Sequence, residues 1–263
     1  MSGRHPKGER IAKVISRAGV ASRREAERLV VDGRVRVNGR TLEHPAFNVA
    51  GGDHIEVDGK PLNKPEPLRL WAYHKPAGLV ITRKDEQGRV TVFDKLPHDF
   101  PRVMSIGRLD ISSEGLLLLT NDGEIKRKLE LPSTGWLRRY RVRIKGVPAD
   151  GDFDPLRGGV EIDGEKFRPM QIALDRQQGA NAWLTLAIRE GRNREIRRAM
   201  EFLGLTVNRL IRISYGPFQL GELKPGEKRE IPSRVIRDQI GAYQNENRGE
   251  KRIVNKSARR RNK

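Results

Sequence analysis

The chain has 263 residues, 36% of them hydrophobic, and its 53 Lys and Arg against 34 Asp and Glu leave a formal net charge of +19; this is the make-up of a globular protein with a large and a small domain, and the charge favours a polyanionic partner. With no cysteine, with five scattered histidines (His5, His44, His54, His74, His98) that lack metal-ligand spacing, and with no phosphate-cradling glycine loop, the sequence excludes disulfides and thiolate nucleophiles and implies no metal, nucleotide or other cofactor. No apolar run reaches the length of a spanning helix and no signal-peptide pattern opens the chain, so a soluble, cytoplasmic protein without a membrane partner is expected.

After a basic lead over residues 1–8, Ile11, Val14 and Ile15 recur at helical spacing and Gly19 stops the run. Ser22 with Glu25 forms a capping box for a second helix, whose apolar stripe is Ala26, Leu29 and Val30 and whose end is Gly33. Val35 and Val37 then alternate with Arg34 and Arg36, Asn38-Gly39 supplies a turn, and an extended piece from Asp53 to Val57 closes a unit over residues 9–58. Arg17, Arg23, Arg24, Arg28, Arg34, Arg36 and Arg40 crowd this unit. A solvated polar face would explain an isolated charge run, but the density here favours phosphate binding. The segment RIAKVISRAGVASRREAERLVVDGRVRVNG resembles an S4 (αL-like) RNA-binding domain over essentially its whole length. That resemblance implies RNA contacts from the second helix and the loop after it, through Arg23, Arg24, Arg28, Arg34 and Arg36 within the stretch ending at Gly39.

Residues 59–67 (GKPLNKPEP) have no periodicity and are expected to be a linker. Beyond it, Leu70 to Tyr73, Leu79 to Thr82, Val103 to Ile106, Leu116 to Thr120, Tyr140 to Ile144, Trp183 to Ile188 and Val207 to Ile213 all have the texture of strands. Few helices are expected between them, and two stand out, from Asp122 to Leu131 and from Asn193 to Leu203. The fold class is therefore α+β, with a mixed, mostly antiparallel sheet and helices on one side over residues 68–240. Residues 241–263 are almost devoid of apolar side chains and are expected to be a disordered basic tail, either solubilising or gripping RNA.

Chemistry then falls to carboxylates, hydroxyls, Arg and Lys. Asp110 lies in Gly107-Arg108-Leu109-Asp110-Ile111-Ser112-Ser113-Glu114-Gly115, and by pattern it is a turn or cap former. The longer run GRLDISSEGLLLLTNDGE, however, is similar almost residue for residue to the catalytic motif of RsuA-like pseudouridine synthases, which implies Asp110 as nucleophile. That reaction breaks the N-glycosidic bond of a uridine, turns the uracil and joins C5 to C1′, with no redox change. Attack on the sugar and assistance in losing a ribose proton both remain open as the role of the carboxylate. Either role requires a nearby cation to keep it ionised when RNA excludes water.

The run Glu190-Gly191-Arg192-Asn193-Arg194-Glu195-Ile196-Arg197-Arg198 is expected to open a helix, with Asn193 as N-cap, Ile196, Met200 and Leu203 as its buried stripe and Gly204 as its stop. Arg194, Arg197 and Arg198 would then lie off the core face, structural or phosphate-contacting by pattern. The run resembles the synthase motif E-G-x-x-x-x-[IV]-R-R, whose Arg pairs with the catalytic Asp. Arg197 is the matching position; Arg194 is its rival, since related branches carry His-Gln where this chain has Arg194-Glu195. In LRRYRVRIK, Tyr140, Val142 and Ile144 share one strand face and Arg139, Arg141, Arg143 and Lys145 the other. Tyr140 is a core residue by pattern, and the resemblance makes it the aromatic that stacks on the target uracil. In VNRLIRISYG, Val207, Ile211 and Ile213 alternate as the core set while Leu210 falls out of step, as a bulge or an exposed leucine would explain. By resemblance, Leu210 packs on the base opposite the tyrosine and Arg108 helps to displace the base. His74-Lys75-Pro76-Ala77-Gly78 and Thr91-Val92-Phe93-Asp94 are expected as scaffold.

The resemblance runs from Ile11 to about Arg237. It implies an isomerase acting on ribosomal RNA, free or in a pre-ribosomal particle; a monomer is expected because nothing in the sequence suggests a conspicuous apolar interface. The arrangement is most similar to bacterial large-subunit (23S) rRNA synthases of type B. A small-subunit (16S) synthase and a non-catalytic rRNA-binding assembly factor are the alternatives.

Overall fold

The computed structural model describes residues 8–64, 66–131 and 134–240, so most of the expected basic lead and all of the expected tail lie outside the described residues. The chain divides into two compact units, one holding the chain up to Leu68 with Phe100–Met104 and Asn121–Gly123, the other the remainder.

In the first unit, β1 (Glu9–Arg10) leads into α1 (Ile11–Arg17), which buries Ile11, Ala12 and Ile15. Gly19, at φ +80°, takes the left-handed conformation just past its end. The expected capping box opens α2 (Arg23–Val31): the Glu25 amide donates to Ser22 Oγ at 3.2 Å, and the Ser22 amide donates to Glu25 Oε2 at 2.7 Å. The Ser22 amide first, then the Ser22 hydroxyl and the Arg102 guanidinium, hold the Glu25 carboxyl down to about 2. The strands β2 (Val35–Val37), β3 (Arg40–Thr41), β4 (Asn48–Val49), β5 (Ile55–Val57) and β6 (Lys60–Pro61) follow; β4 pairs with β1, and the other four form a sheet in the order β3-β2-β5-β6. Asn38 and Gly39 have φ of 51° and 77°, the two positive values that a type I′ hairpin requires. Asp58 and Gly59 repeat the device at 53° and 73°, so the stretch read as linker opens with a hairpin strand, β6.

Apart from Met104 and Gly123, the second unit contains β7 (Leu70–Lys75), β8 (Met104–Ile106), β9 (Glu114–Thr120), α3 (Gly123–Glu130), β10 (Arg138–Lys145), α4 (Asp154–Gly158), β11 (Val160–Ile162), β12 (Glu165–Phe167), β13 (Gln171–Gln178), β14 (Asn181–Ile188), α5 (Glu195–Phe202), β15 (Thr206–Tyr215), β16 (Phe218–Gln219) and β17 (Lys228–Ile231). Nine of these strands form one sheet, ordered β13-β14-β10-β15-β9-β7-β17, with β16 against β15 and β8 against β9. The β9–β15 pair is parallel, and the registered pairs around it are antiparallel. Tyr140, Val142, Ile144, Leu184 and Leu186 from the sheet form one buried cluster with Phe153, Leu156, Ile196, Ala199 and Met200.

Several sequence expectations are corrected. Leu79 to Thr82 is not a strand; Val80 makes only an isolated bridge to Thr91, and an apolar run this short does not distinguish strand from loop. The strands β11, β12, β13, β16 and β17 and helix α4 were not expected. In β15, Arg143 faces Arg209 but Ile144 faces Val207, leaving Asn208 as an extra, bulged residue. The bulge reverses the alternation beyond it. Leu210 therefore faces Val142 and is buried in the cluster, whereas Ile211 faces Arg141 on the other side; Val207, Ile211 and Ile213 are not one core set.

Candidate active site

A cleft of about 1130 Å³ in the second unit is lined by Arg108, Asp110, Tyr140, Arg194 and Leu210 together with Arg138, Glu190, Glu195 and Arg212. Its centre is the loop from β8 to β9. Leu109 anchors this loop by packing against the core cluster, next in sequence to Asp110. The Ser113 amide donates to the Asp110 carbonyl at 3.0 Å, and the Gly107 amide donates to Glu130 Oε1 at 2.7 Å.

Lys75 fastens the loop from below. It is fully buried at the end of β7, and its Nζ donates to the carbonyls of Pro76, Asp110, Ile111 and Ser113 at 3.0, 3.2, 3.3 and 2.8 Å. Burial pulls this ammonium down to about 8, against the charges of Asp110 and Glu114. At the start of β9, Gly115 has φ +103° where the strand meets β15; a Cβ there would lie 2.3 Å from the Arg212 carbonyl oxygen. The glycine of the S-E-G triplet is thus required by a close backbone approach.

Helix α5 supplies the cation. Its first residue is Glu195, and the preceding position is Arg194, left-handed at φ 48°. Asn193 is therefore not the N-cap, and the turn it would have capped is closed by the Glu195 carboxyl, which accepts from the Arg192 amide at 2.9 Å. Arg197 does not lie off the core face either: it is 8% exposed. Its Nη1 donates to the Val207 carbonyl at 3.1 Å and its Nη2 reaches the Ser112 carbonyl at 3.4 Å. Its Nε, 3.9 Å from Asp110 Oδ2, has no hydrogen-bond partner among the described residues. Between the two candidate arginines the geometry brings Arg197 to the carboxylate. Burial, then the charge of Arg194, pulls the Arg197 guanidinium down, and Asp110 opposes the shift. Arg198 is occupied elsewhere, with Glu165 and Asp163.

Tyr140 and Leu210 are 6% and 5% exposed, and both belong to the core cluster while lining the cleft. For Tyr140 the core and cleft readings are therefore compatible, since the residue is packed in the cluster and also lines the cleft; for Leu210 the exposed alternative is overturned and the bulge stands. Arg108 is exposed at the rim.

Sequence reasoning passed over three residues of the site. Arg212 faces Tyr140 across β10 and β15 and is buried; its Nε donates to the Leu116 carbonyl at 2.8 Å, and its Nη2 has no partner among the described residues. Arg138 and Arg212 lie over the Tyr215 ring at 4.9 and 5.2 Å. Glu195, 3% exposed, is pushed up to about 7 by burial and by neighbouring Glu190. The signal for Arg212 was its two-residue offset from Leu210, hidden by the bulge; nothing in the Arg194-Glu195 pair marks Glu195 as buried.

In the first unit, Arg23, Arg24, Arg28 and Arg36 are exposed. Arg34 is exposed but held by Asp58 in a two-point ion pair at 2.6 and 2.7 Å.

Comparison with known proteins adds the following. The family pattern described as RNA pseudouridylate synthase matches residues 69–202, and that of the S4 domain matches residues 9–55. An uncharacterised RNA pseudouridine synthase of Rickettsia felis is 48% identical over 231 residues, 87% of this chain and 99% of the relative. The ribosomal large subunit pseudouridine synthase B of Bacillus subtilis is 38% identical over 232 residues, 87% of this chain and 94% of that one. A crystal structure of a pseudouridylate synthase superposes with a TM-score of 0.62 at 24% identity, covering 87% of this chain and 98% of that chain, which supports the fold alone. Among the described residues no helix is long and apolar enough to cross a membrane.

Proposed function

Because the chain belongs to the RNA pseudouridylate synthase family, with an S4 domain ahead of the synthase domain, we propose that it converts uridine in large-subunit ribosomal RNA to pseudouridine, with Asp110 as the catalytic carboxylate. The observation that carries the assignment is a carboxylate held over a core-anchored loop, with the guanidinium of Arg197 3.9 Å away. The Asp110 side chain is 29% exposed, open to a substrate, while the Arg197 side chain is 10% exposed and committed to the framework. Such an arrangement sets a framework-held positive charge beside the carboxylate in the cleft. Arg197 positions Asp110; it is not a group that must touch the base.

In the reaction the N1–C1′ bond breaks, the uracil turns, C5 bonds to C1′, C5 loses its proton and N1 gains one. No electron leaves or enters, so no redox partner is required. Tyr140 and Leu210 offer an aromatic and an aliphatic surface on which a flipped uracil can be held, and their packing in the core fixes the slot. Arg108, exposed at the rim, is free to fill the gap that the flipped base leaves. Arg23, Arg24, Arg28 and Arg36 supply affinity through phosphates rather than chemistry. The choice of large-subunit RNA is supported by relatives such as the Bacillus subtilis synthase B, matched over almost its full length.

The test is release of tritium from 5-tritiated uridine in separate large- and small-subunit rRNA transcripts. We expect release from the large-subunit RNA only, abolished in Asp110→Asn with RNA affinity retained. Release from the small-subunit RNA alone would move the substrate, and release unaffected by the substitution would move the nucleophile. No release from either transcript or from the corresponding pre-ribosomal particles would sink the proposal.

A further inference from the structure

Across β13, β14, β10 and β15 the sheet is covered on the cleft side by the core cluster, and its other side carries a dense array of cations. Tyr140, Val142 and Ile144 turn inward from β10, so Arg139, Arg141, Arg143 and Lys145 turn outward. Cross-strand register sets Arg176, Trp183, Arg143 and Arg209 side by side on four successive strands, and Thr185, Arg141 and Ile211 in the adjoining row. With strands about 4.8 Å apart, the row of four spans roughly 14 Å. Arg139, Arg141, Lys145, Arg176 and Arg209 are exposed, and Arg143 and Trp183 are half-buried. The Arg141 guanidinium lies 4.9 Å over the Trp183 ring.

Little on the face compensates this charge. The acidic residues of these strands and of β9 beside them are Glu114, held by Arg209 at 2.8 and 2.9 Å, and Asp175, which accepts from the Thr185 hydroxyl at 3.0 Å. Arg143 Nε is buried without a hydrogen-bond partner among the described residues. Like charges opposed across strands destabilise a sheet, as at Arg143 opposite Arg209, so beyond the Arg209–Glu114 pair and the Arg141–Trp183 stack the array has no evident structural purpose. Its occupant must be anionic along an extended line and must tolerate a half-exposed tryptophan among guanidinium groups, which describes a nucleic-acid backbone with a stacked base.

We propose that this face is a second RNA-docking surface, which takes the backbone of a substrate segment distant from the uridine held in the cleft. The proposal deepens the reading of the protein as an rRNA synthase and rests on its substrate being a long RNA. It makes the synthase domain a two-sided binder, with chemistry on one face of the sheet and affinity on the other.

The test uses the full chain, its Arg141→Gln/Arg143→Gln variant and, should the first melt early, Arg139→Gln/Lys145→Gln. Binding to a full-length large-subunit rRNA transcript is measured across salt concentrations, with tritium release at saturating RNA. Removing one cation from a phosphate lowers the slope of log affinity against log salt by about 0.7 to 0.9, so a fall of roughly 1.5 and a loss of affinity on the order of tenfold are expected, with kcat unchanged. Unchanged affinity and slope in both variants would overturn the proposal, as would altered self-association in the ultracentrifuge with RNA binding intact. If wild-type protein releases no tritium but the variants still lose affinity, the catalytic reading fails while the docking surface stands.

Discussion

Glu195 sits where a carboxylate is costly: it is 3% exposed, its Oε1 has no hydrogen-bond partner among the described residues, and Glu190 lies beside it. Burial first, and the Glu190 charge with it, raise the carboxyl from 4.5 to about 7. Between those values the folded protein keeps a proton that the unfolded chain has lost. The stabilisation from this site is complete below about 4.5 and is lost as pH rises through about 7. Glu195→Gln retains an acceptor for the Arg192 amide and cannot ionise, so thermal denaturation should give it the wild-type Tm near pH 5 and a higher Tm at pH 8. Equal differences at both pH values would mean that Glu195 is already ionised in the folded state. Lys75 is the reverse case, since burial lowers its ammonium from 10.5 to about 8, and its penalty is full below about 8 and relieved as pH climbs towards 10.5. Lys75→Met would remove the donor that four carbonyls share. Leaving buried acceptors unsatisfied costs about 1–3 kcal/mol each. The expected result is at least about 3 kcal/mol of lost stability in urea melts, with kcat reduced because the Asp110 loop loosens; wild-type values of both would show that other contacts hold the loop.

At the scale of elements, the junction between β9 and β15 is the constraint that shapes the site, because it brings the Asp110 loop beside the strand that carries Leu210 and Arg212. Gly115→Ala would drive a Cβ to 2.3 Å from the Arg212 carbonyl oxygen and 2.6 Å from its amide nitrogen, at a φ of +103°. Both obstacles are backbone, which has no rotamer to yield. Overpacking of about 1–3 kcal/mol then adds to strain of similar size, so the variant should lose at least about 3 kcal/mol and most of its activity; a soluble variant with wild-type Tm would mean that the strands can part. Elements built from local signals were legible in the sequence: the Ser22–Glu25 box and the Asn38-Gly39 turn each form from residues within three positions of one another. What the sequence concealed depends on distant partners. The bulge at Asn208 is defined only by pairing with β10, and it decides that Leu210 faces inward. β13 is mostly polar and nearly all exposed apart from Ile172 and Leu174, so it lacks the alternation that marks a half-buried strand. The pairing of Asp110 with Arg197 rather than Arg194 depends on the left-handed turn at Arg194, and the role of Lys75 on carbonyls 35 to 38 residues away.

For the whole molecule, the excess of +19 matters through where its charges are unpaired. An arginine already held by a carboxylate brings little new attraction to a phosphate, since binding must first break or share the ion pair. On the first unit this separates Arg34, held by Asp58 at two points, from Arg24 and Arg28, which are exposed on α2 with no such partner among the described residues. Arg24→Gln/Arg28→Gln should therefore lower the slope of log affinity against log salt by roughly 1.5 and raise KM for rRNA severalfold, leaving kcat unchanged. Arg34→Gln should alter that slope much less and show instead as a lower Tm, because Asp58 loses its partner. Filter binding across salt, combined with kcat and KM from tritium release, distinguishes the two cases. If Arg34→Gln weakens RNA binding as much as the double variant does, then the Arg34–Asp58 pair opens on RNA, and pairing in the free protein is no guide to which arginines the RNA recruits.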